Sequence, residues 1–324
     1  MIATVNPIRI IRNLLILFPC LLGWGCHRQD CGLDPDISYS PQRCLIEKLP
    51  CDFPKLTTRE RSQDWGKEFY VGKSFASEMD FYRAITCFKK ALFLLPRDTY
   101  ERQFEIEYDI FLAYYVAGKY QEAVEAFEGS HLIGVPETFP ALNDLRTLLY
   151  DAYIQDNRRE RANVMLQAIA QNYTETANKL VLETEIRDGN LTAIPQAACN
   201  TLAEKGVCRM LSIYHAEAKS VGKAKMLNAI LPGAGYYYVG QKKSALTSFL
   251  INALFIAASY QLFDRGYIPA AIITTSLECG WYFGGINGAG IEAQQYNRCL
   301  YERIGKETLV QERLFPILMI EYGF

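Results

Sequence analysis

The sequence predicts an all-α chain, with a stack of helical repeats followed by a transmembrane helical hairpin. Three observations point there. Small residues recur in step, with Ala84, Ala123 and Ala162 spaced 39 residues apart. Two 19-residue runs, Ala245 to Phe263 and Tyr267 to Gly285, hold a single charged residue between them, Glu278. Apart from the closing "LFPILMIEYGF", where Leu318, Ile320 and Tyr322 alternate, no barrel-type strand is visible.

At 324 residues the chain has room for two modest domains, or one with appendages. The 34 Lys and Arg against 36 Asp and Glu leave a formal net charge of −2. That excludes bulk nucleic-acid binding, which needs a clustered basic surface, and no nucleic-acid partner is expected.

Residues 1–25 read as an export signal. Arg9 and Arg12 form the charged start, and the apolar stretch Asn13 to Trp24 is short for a membrane span. Gly25 directly before Cys26 resembles a bacterial lipoprotein signal, although Gly23 stands where a leucine is usual and bulky Trp24 follows it. The resemblance implies lipidation of Cys26. Residues 26–60 form a Cys-rich linker. Cys31, Cys44 and Cys51 lack the paired spacing of a zinc site, and in an exported chain they are expected to form disulfides. No metal site is assigned.

Residues 61–218 are expected to be the repeat stack, closed by a cap over Thr174 to Ala218. From Trp65 to Asp98 the chain places Gly72, Phe75, Ala84, Phe88 and Ala91 at helical intervals and closes with Pro96. A second unit matches at Tyr114, Ala123 and Phe127, and a third, weaker one at Tyr150, Tyr153, Ala162 and Leu166. The first unit closely resembles a tetratricopeptide repeat. That resemblance implies two antiparallel helices per unit, meeting tightly at the small residues, and a concave face that holds a protein or peptide partner.

A search for catalytic groups yields none. Of the three histidines, His27, His131 and His215, no two stand at ligand spacing, and all read as surface residues. "GGINGAG" lacks the dinucleotide-binding spacing. Glu105, Glu107 and Asp109 read as one solvated helix face. No catalytic residue and no cofactor is assigned.

Residues 219–290 are expected to approach and cross the membrane. At about 1.5 Å per residue each 19-residue run matches a hydrocarbon core of roughly 30 Å, and Asp264-Arg265-Gly266 makes the turn. In "LPGAGYYYVGQKK" the Pro and Gly residues end a short helix. The tyrosines suit an aromatic belt, and Lys242 and Lys243 suit headgroups. Asn252 and Glu278 each lie 13 residues from Arg265, which predicts a polar pair at one depth. Gly280, Gly284 and Gly288 predict a ridge for close helix packing, including with a second copy in a homo-oligomer. Pro-Gly-x-Gly, Tyr and then Val239-Gly240-Gln241, with "GGINGAGIEAQQYN" downstream, resembles a poorly characterised group of bacterial membrane proteins over Leu227 to Arg298. In that group the motif opens a small helical membrane domain. The tail, residues 291–324, is expected on the membrane domain or at its surface.

The expectation is an exported adaptor anchored in a bacterial inner membrane, its repeats facing the periplasm and binding another protein or peptide. The alternative is a membrane-domain protein that handles a lipid or small solute, with the repeats as a docking module.

Overall fold

Helix α1 (Thr58–Ser62) opens on a reciprocal cap: Thr57 Oγ1 accepts from Glu60 N at 3.2 Å while Glu60 Oε2 accepts from Thr57 N at 2.7 Å. A computed structural model describes residues 33–41, 50–51 and 53–324, and among these the chain is helical with no strand. Cys26, Cys31, Cys44 and His27, with the export signal, lie outside the described residues.

Helices α2 (Asp64–Ser77) and α3 (Phe81–Leu94) follow, α3 capped by Asp80, whose side chain accepts from Arg83 N. Their contact is close because Gly72 has no side chain; a Cβ there would lie 2.6 Å from the Phe88 ring. Ala84, Phe88 and Ala91 are fully buried on the facing side. Phe75 is half-buried beneath the Arg83 guanidinium, and Pro96 is exposed just past α3. Helices α4 (Tyr100–Val116) and α5 (Tyr120–Glu128) repeat the arrangement, with Ala123 buried and Tyr114 and Phe127 half-buried. So do α6 (Leu142–Gln155) and α7 (Arg159–Asn172), which bury Tyr153 and Ala162. Helices α8 (Thr174–Arg187), α9 (Ile194–Ala198) and α10 (Glu204–Glu217) continue the series, each packed on its predecessor.

Helices α3 and α5 are amphipathic, whereas α4 is not. From Glu105 to Val116 every α4 residue except Tyr114 is buried. A helix apolar on all sides needs cover on all sides. One side of α4 is covered by α3 and α5, and another by the chain's own last residues. Tyr108 Oη donates to the Tyr322 carbonyl at 2.8 Å. Glu321 N and Tyr322 N both donate to Asp144 Oδ2 at 2.7 Å. The Phe324 ring stacks 6.4 Å from Phe88. Leu314, Phe315, Ile317, Leu318 and Ile320 are buried. This corrects part of the expectation that the tail packs on the membrane domain: residues 314–324 lie against the helix stack, where α4 and α6 present an apolar side that needs covering, while Ala293 and Tyr296 do pack on Ala224 and Val239.

Helices α11 (Val221–Ile230), α12 (Ala234–Val239), α13 (Lys242–Asp264) and α14 (Ile268–Gln311) complete the order. Gly233, at φ +92°, turns the chain between α11 and α12, and its N–H donates to Asn228 Oδ1 at 2.9 Å. The expected tyrosine belt is itself helical. Tyr238 Oη accepts from Ser220 N at 3.2 Å, and Tyr237 is the exposed one. Helix α14 runs unbroken for 44 residues, so the division anticipated at residue 290 falls in a helix interior. Its glycines do not stop the helix, and some admit neighbours, with Gly288 against the Tyr236 ring and Gly290 against the Lys225 stem. Beyond them, Tyr301 Oη donates to the Ile186 carbonyl at 2.8 Å and joins α14 to α8. Residues Asp34–Phe324 thus form one compact unit.

Candidate functional site

Two regions hold the chain's unusual chemistry: buried charges inside the helix stack, and the apolar pair formed by α13 with the first turns of α14.

The reading of Glu105, Glu107 and Asp109 as a solvated face is overturned, since all three are buried, Asp109 completely. Lys73, from α2, reaches Glu105 at 2.9 Å and Asp109 at 3.6 Å. Arg102 forks from Glu105 at 2.5 Å to Glu60 at 2.9 Å and holds the Glu60 carboxyl down at about 2. Burial pushes Asp109 up to about 7 against the pull of Lys73. Burial also opposes the Lys73 ammonium, but the combined field of Asp109 and Glu105 outweighs it and raises its pKa. Glu107 accepts from His131 N at 3.0 Å and pairs with His131 Nδ1 at 2.8 Å, so His131 tethers a short 3₁₀ turn, His131–Gly134.

A second cluster joins α4, α6 and α8. Arg187 contacts Asp151 at 2.8 Å and Glu183 at 2.9 Å, and Tyr115 Oη donates to Asp151. Burial lifts Glu183 to about 8 and Asp144 to about 6. Sequence reasoning missed Asp144, Asp151 and Arg187. The available signal was that α4 and α6 carry apolar residues on every side, so charges on them cannot all face water. Each charge here is held by another side chain or by backbone, and Asp151 and Arg187 also line a small pocket of about 100 Å³ with Ser40, Tyr115 and Tyr120. His215, by contrast, is exposed beside the Tyr214 ring. Among the described residues no three His, Cys, Asp or Glu side chains cluster as metal ligands. Cys51 is exposed with a free thiol where a disulfide was anticipated, and Lys73 Nζ lies 3.7 Å from its sulfur.

Helix α13 is the one helix among the described residues long and apolar enough to cross a membrane, and only 11% of its most apolar stretch is buried. Leu246, Leu250, Leu254 and Tyr260 are exposed along it. The second expected span forms the start of α14. It is diluted by Thr274, Thr275, Ser276 and Glu278, and it falls short of the apolarity of α13. It still exposes Ile272, Ile273, Leu277 and Trp281.

Asn252 and Glu278 are both buried on facing helices, yet no hydrogen bond joins them. Asn252 Nδ2 donates to the Ser248 carbonyl one turn back at 2.6 Å, and Asn252 Oδ1 and Glu278 Oε2 have no partner. Gly280 and Gly284 face open space, whereas Gly288 meets the Tyr236 hydroxyl. The open glycines floor a groove of about 680 Å³ between α13 and α14, with Tyr236 and Trp281 as walls and Lys243 and Glu292 at one end. A smaller groove of about 380 Å³ lies between α3 and α5, over Ile110 of α4.

No protein-family model matches the chain, and no curated protein or solved structure matches it.

Proposed function

We propose that this chain is an exported, membrane-anchored adaptor. Helix α13 and the first turns of α14 form a transmembrane hairpin, and the tetratricopeptide-like helix pairs dock another protein. The observation that carries the reading is the exposure of α13. A 23-residue apolar helix left uncovered by its own chain would be costly in water at roughly 25 cal/mol per Å² of apolar surface. It is about 35 Å long at 1.5 Å per residue, enough to cross a hydrocarbon core. The compartment we propose rests on reading residues 1–25 as an export signal, which puts the helix pairs outside the cytoplasm of a bacterium, tethered to its inner membrane.

The docking surface we propose is not the inner face. Peptides on tetratricopeptide stacks are expected on the inner face, but the chain's own residues 314–324 already cover α4 and α6. The open alternative is the groove between α3 and α5. There Leu92, Ile110 and Tyr114 are flanked by Glu107, Glu122 and Glu125, with Lys89 already bonded to the Tyr114 hydroxyl, and Phe93, next to Leu92 in α3, is 88% exposed. Its partner is an apolar segment carrying basic residues.

The test is photocrosslinking from position 92 in the intact membrane protein, compared with position 209 on α10. One discrete partner trapped from position 92 alone supports the adaptor; identical products from both positions would sink it. Anchoring is tested separately, since the protein should stay in the membrane pellet at alkaline pH and leave only with detergent.

A further inference from the structure

We infer that the groove between α13 and α14 binds a single glycerophospholipid whose headgroup carries an ammonium group. The inference rests on the hairpin lying in a bilayer and adds a ligand to it. The groove follows α14 from Gly280 to Glu292, which is about 18 Å at 1.5 Å per residue, room for a headgroup and much of one acyl chain. Its chemistry changes along that length. Because α13 and α14 are joined by a tight turn at Arg265-Gly266, Lys243 and Glu292 share the end farthest from the turn, and Gly280 lies deeper.

At the far end two opposite charges line one groove without pairing. Among the described residues Lys243 makes no ion pair, and Glu292 accepts only from Gln241 Nε2, at 3.2 Å. Lys243 and Ser244 belong to the first turn of a long helix, where backbone N–H groups have no partner within the helix. Lys243, those N–H groups and the Ser244 and Thr247 hydroxyls together make a phosphate site. Glu292 supplies the counter-charge for an ammonium. A second, independent feature points into the same space. Ser248, only 7% exposed, lines the groove with a hydroxyl that has no hydrogen-bond partner among the described residues. Towards Gly280 and Gly284 the floor has no side chains, and an acyl chain lies there beside Trp281.

A zwitterionic headgroup satisfies both Lys243 and Glu292 at once; a second copy seated in the groove is the competing occupant, and the Gly284→Cys crosslink tests for it. The ligand chemistry is therefore a phosphodiester with a primary ammonium, as in phosphatidylethanolamine.

The experiment is native mass spectrometry of the full chain, purified in detergent and offered phosphatidylethanolamine, phosphatidylglycerol and phosphatidylcholine. The expected result is one retained phosphatidylethanolamine, favoured about tenfold over the other two, a difference of about 1.4 kcal/mol. Lys243→Glu should abolish retention, and Glu292→Gln should turn the preference towards phosphatidylglycerol, with helical content unchanged in both. Equal retention of all three lipids, untouched by either variant, overturns the site. So does a Gly284→Cys variant that crosslinks to another copy at full yield with phosphatidylethanolamine present. Release of the wild type from membranes at alkaline pH without detergent would overturn the hairpin itself, and with it the site. Retention in the membrane without headgroup preference would overturn the site alone.

Discussion

Asp109 is fully buried, its oxygens make no hydrogen bond, and its counter-charge is Lys73 at 3.6 Å. Burial raises its carboxyl from an ordinary 3.8 to about 7. Because the folded-state value is the higher one, Asp109's contribution to stability is full below about 3.8 and is lost as pH rises through about 7. Thermal unfolding of the detergent-purified protein should show stability falling over that window, with a share from this residue on the order of 2–4 kcal/mol. Asp109→Asn should flatten the fall, leaving the parts due to Asp144, lost by about 6, and Glu183, lost by about 8. An unchanged pH profile would mean that Asp109 is solvated after all. At Gly72 the issue is space, not charge. A methyl group there meets the Phe88 ring at 2.6 Å, so Gly72→Ala should overpack α2 against α3 and cost about 1–3 kcal/mol in chemical denaturation. A Gly72→Ala variant as stable as the wild type would show that the helices can part at no expense.

Among the elements, the segment around Tyr322 is held by Asp144, which accepts two backbone N–H groups. Asp144→Ala leaves both part-buried donors without that acceptor, at about 0.5–1.5 kcal/mol for each hydrogen bond lost. Hydrogen exchange at Glu321 and Tyr322 should then accelerate while α2 and α3 exchange as before; slow exchange at both would show that Asp144 is not the clamp. None of this was legible beforehand. Leu318, Ile320 and Tyr322 alternate as in a strand, and a short alternating run does not say which surface it will cover. The helical character was readable, because Gly72, Ala84 and Phe88 sit at intervals that bring small against large across two adjacent helices. The acids of α4 were misread because they were taken by charge alone; the apolar residues on all sides of that helix decide their burial. Gly280, Gly284 and Gly288 were read as one ridge for close helix packing. Only the approach of α11 and α12 reveals that some admit neighbours while Gly280 and Gly284 stay open. The groove could not be read from sequence, since it depends on how the consecutive helices α12, α13 and α14 fold back on one another.

For the whole molecule, the division of labour between stack and hairpin makes insertion testable at one exposed position. Leu254 lies mid-α13 and is 69% exposed. In a bilayer, arginine there should cost about 2.5–3.5 kcal/mol on insertion scales, so Leu254→Arg should reduce the fraction recovered in membranes while the stack stays folded. On a water-facing helix the same change would raise solubility and leave recovery untouched. Helix α14 connects the two parts directly. At 44 residues it is a rod of about 66 Å, with Pro269 as its only proline, in the first turn. Its early turns expose Ile272, Ile273 and Leu277, while Leu300, Tyr301 and Ile304 are clasped by α8 and α10. In the proposed adaptor this unbroken helix sets the altitude of the α3–α5 groove above the lipid and its compass bearing around the rod. One residue added between the apolar turns and the clasp would lift everything above it by about 1.5 Å and swing it by about 100°. A partner rooted in the same membrane would then meet the wrong side.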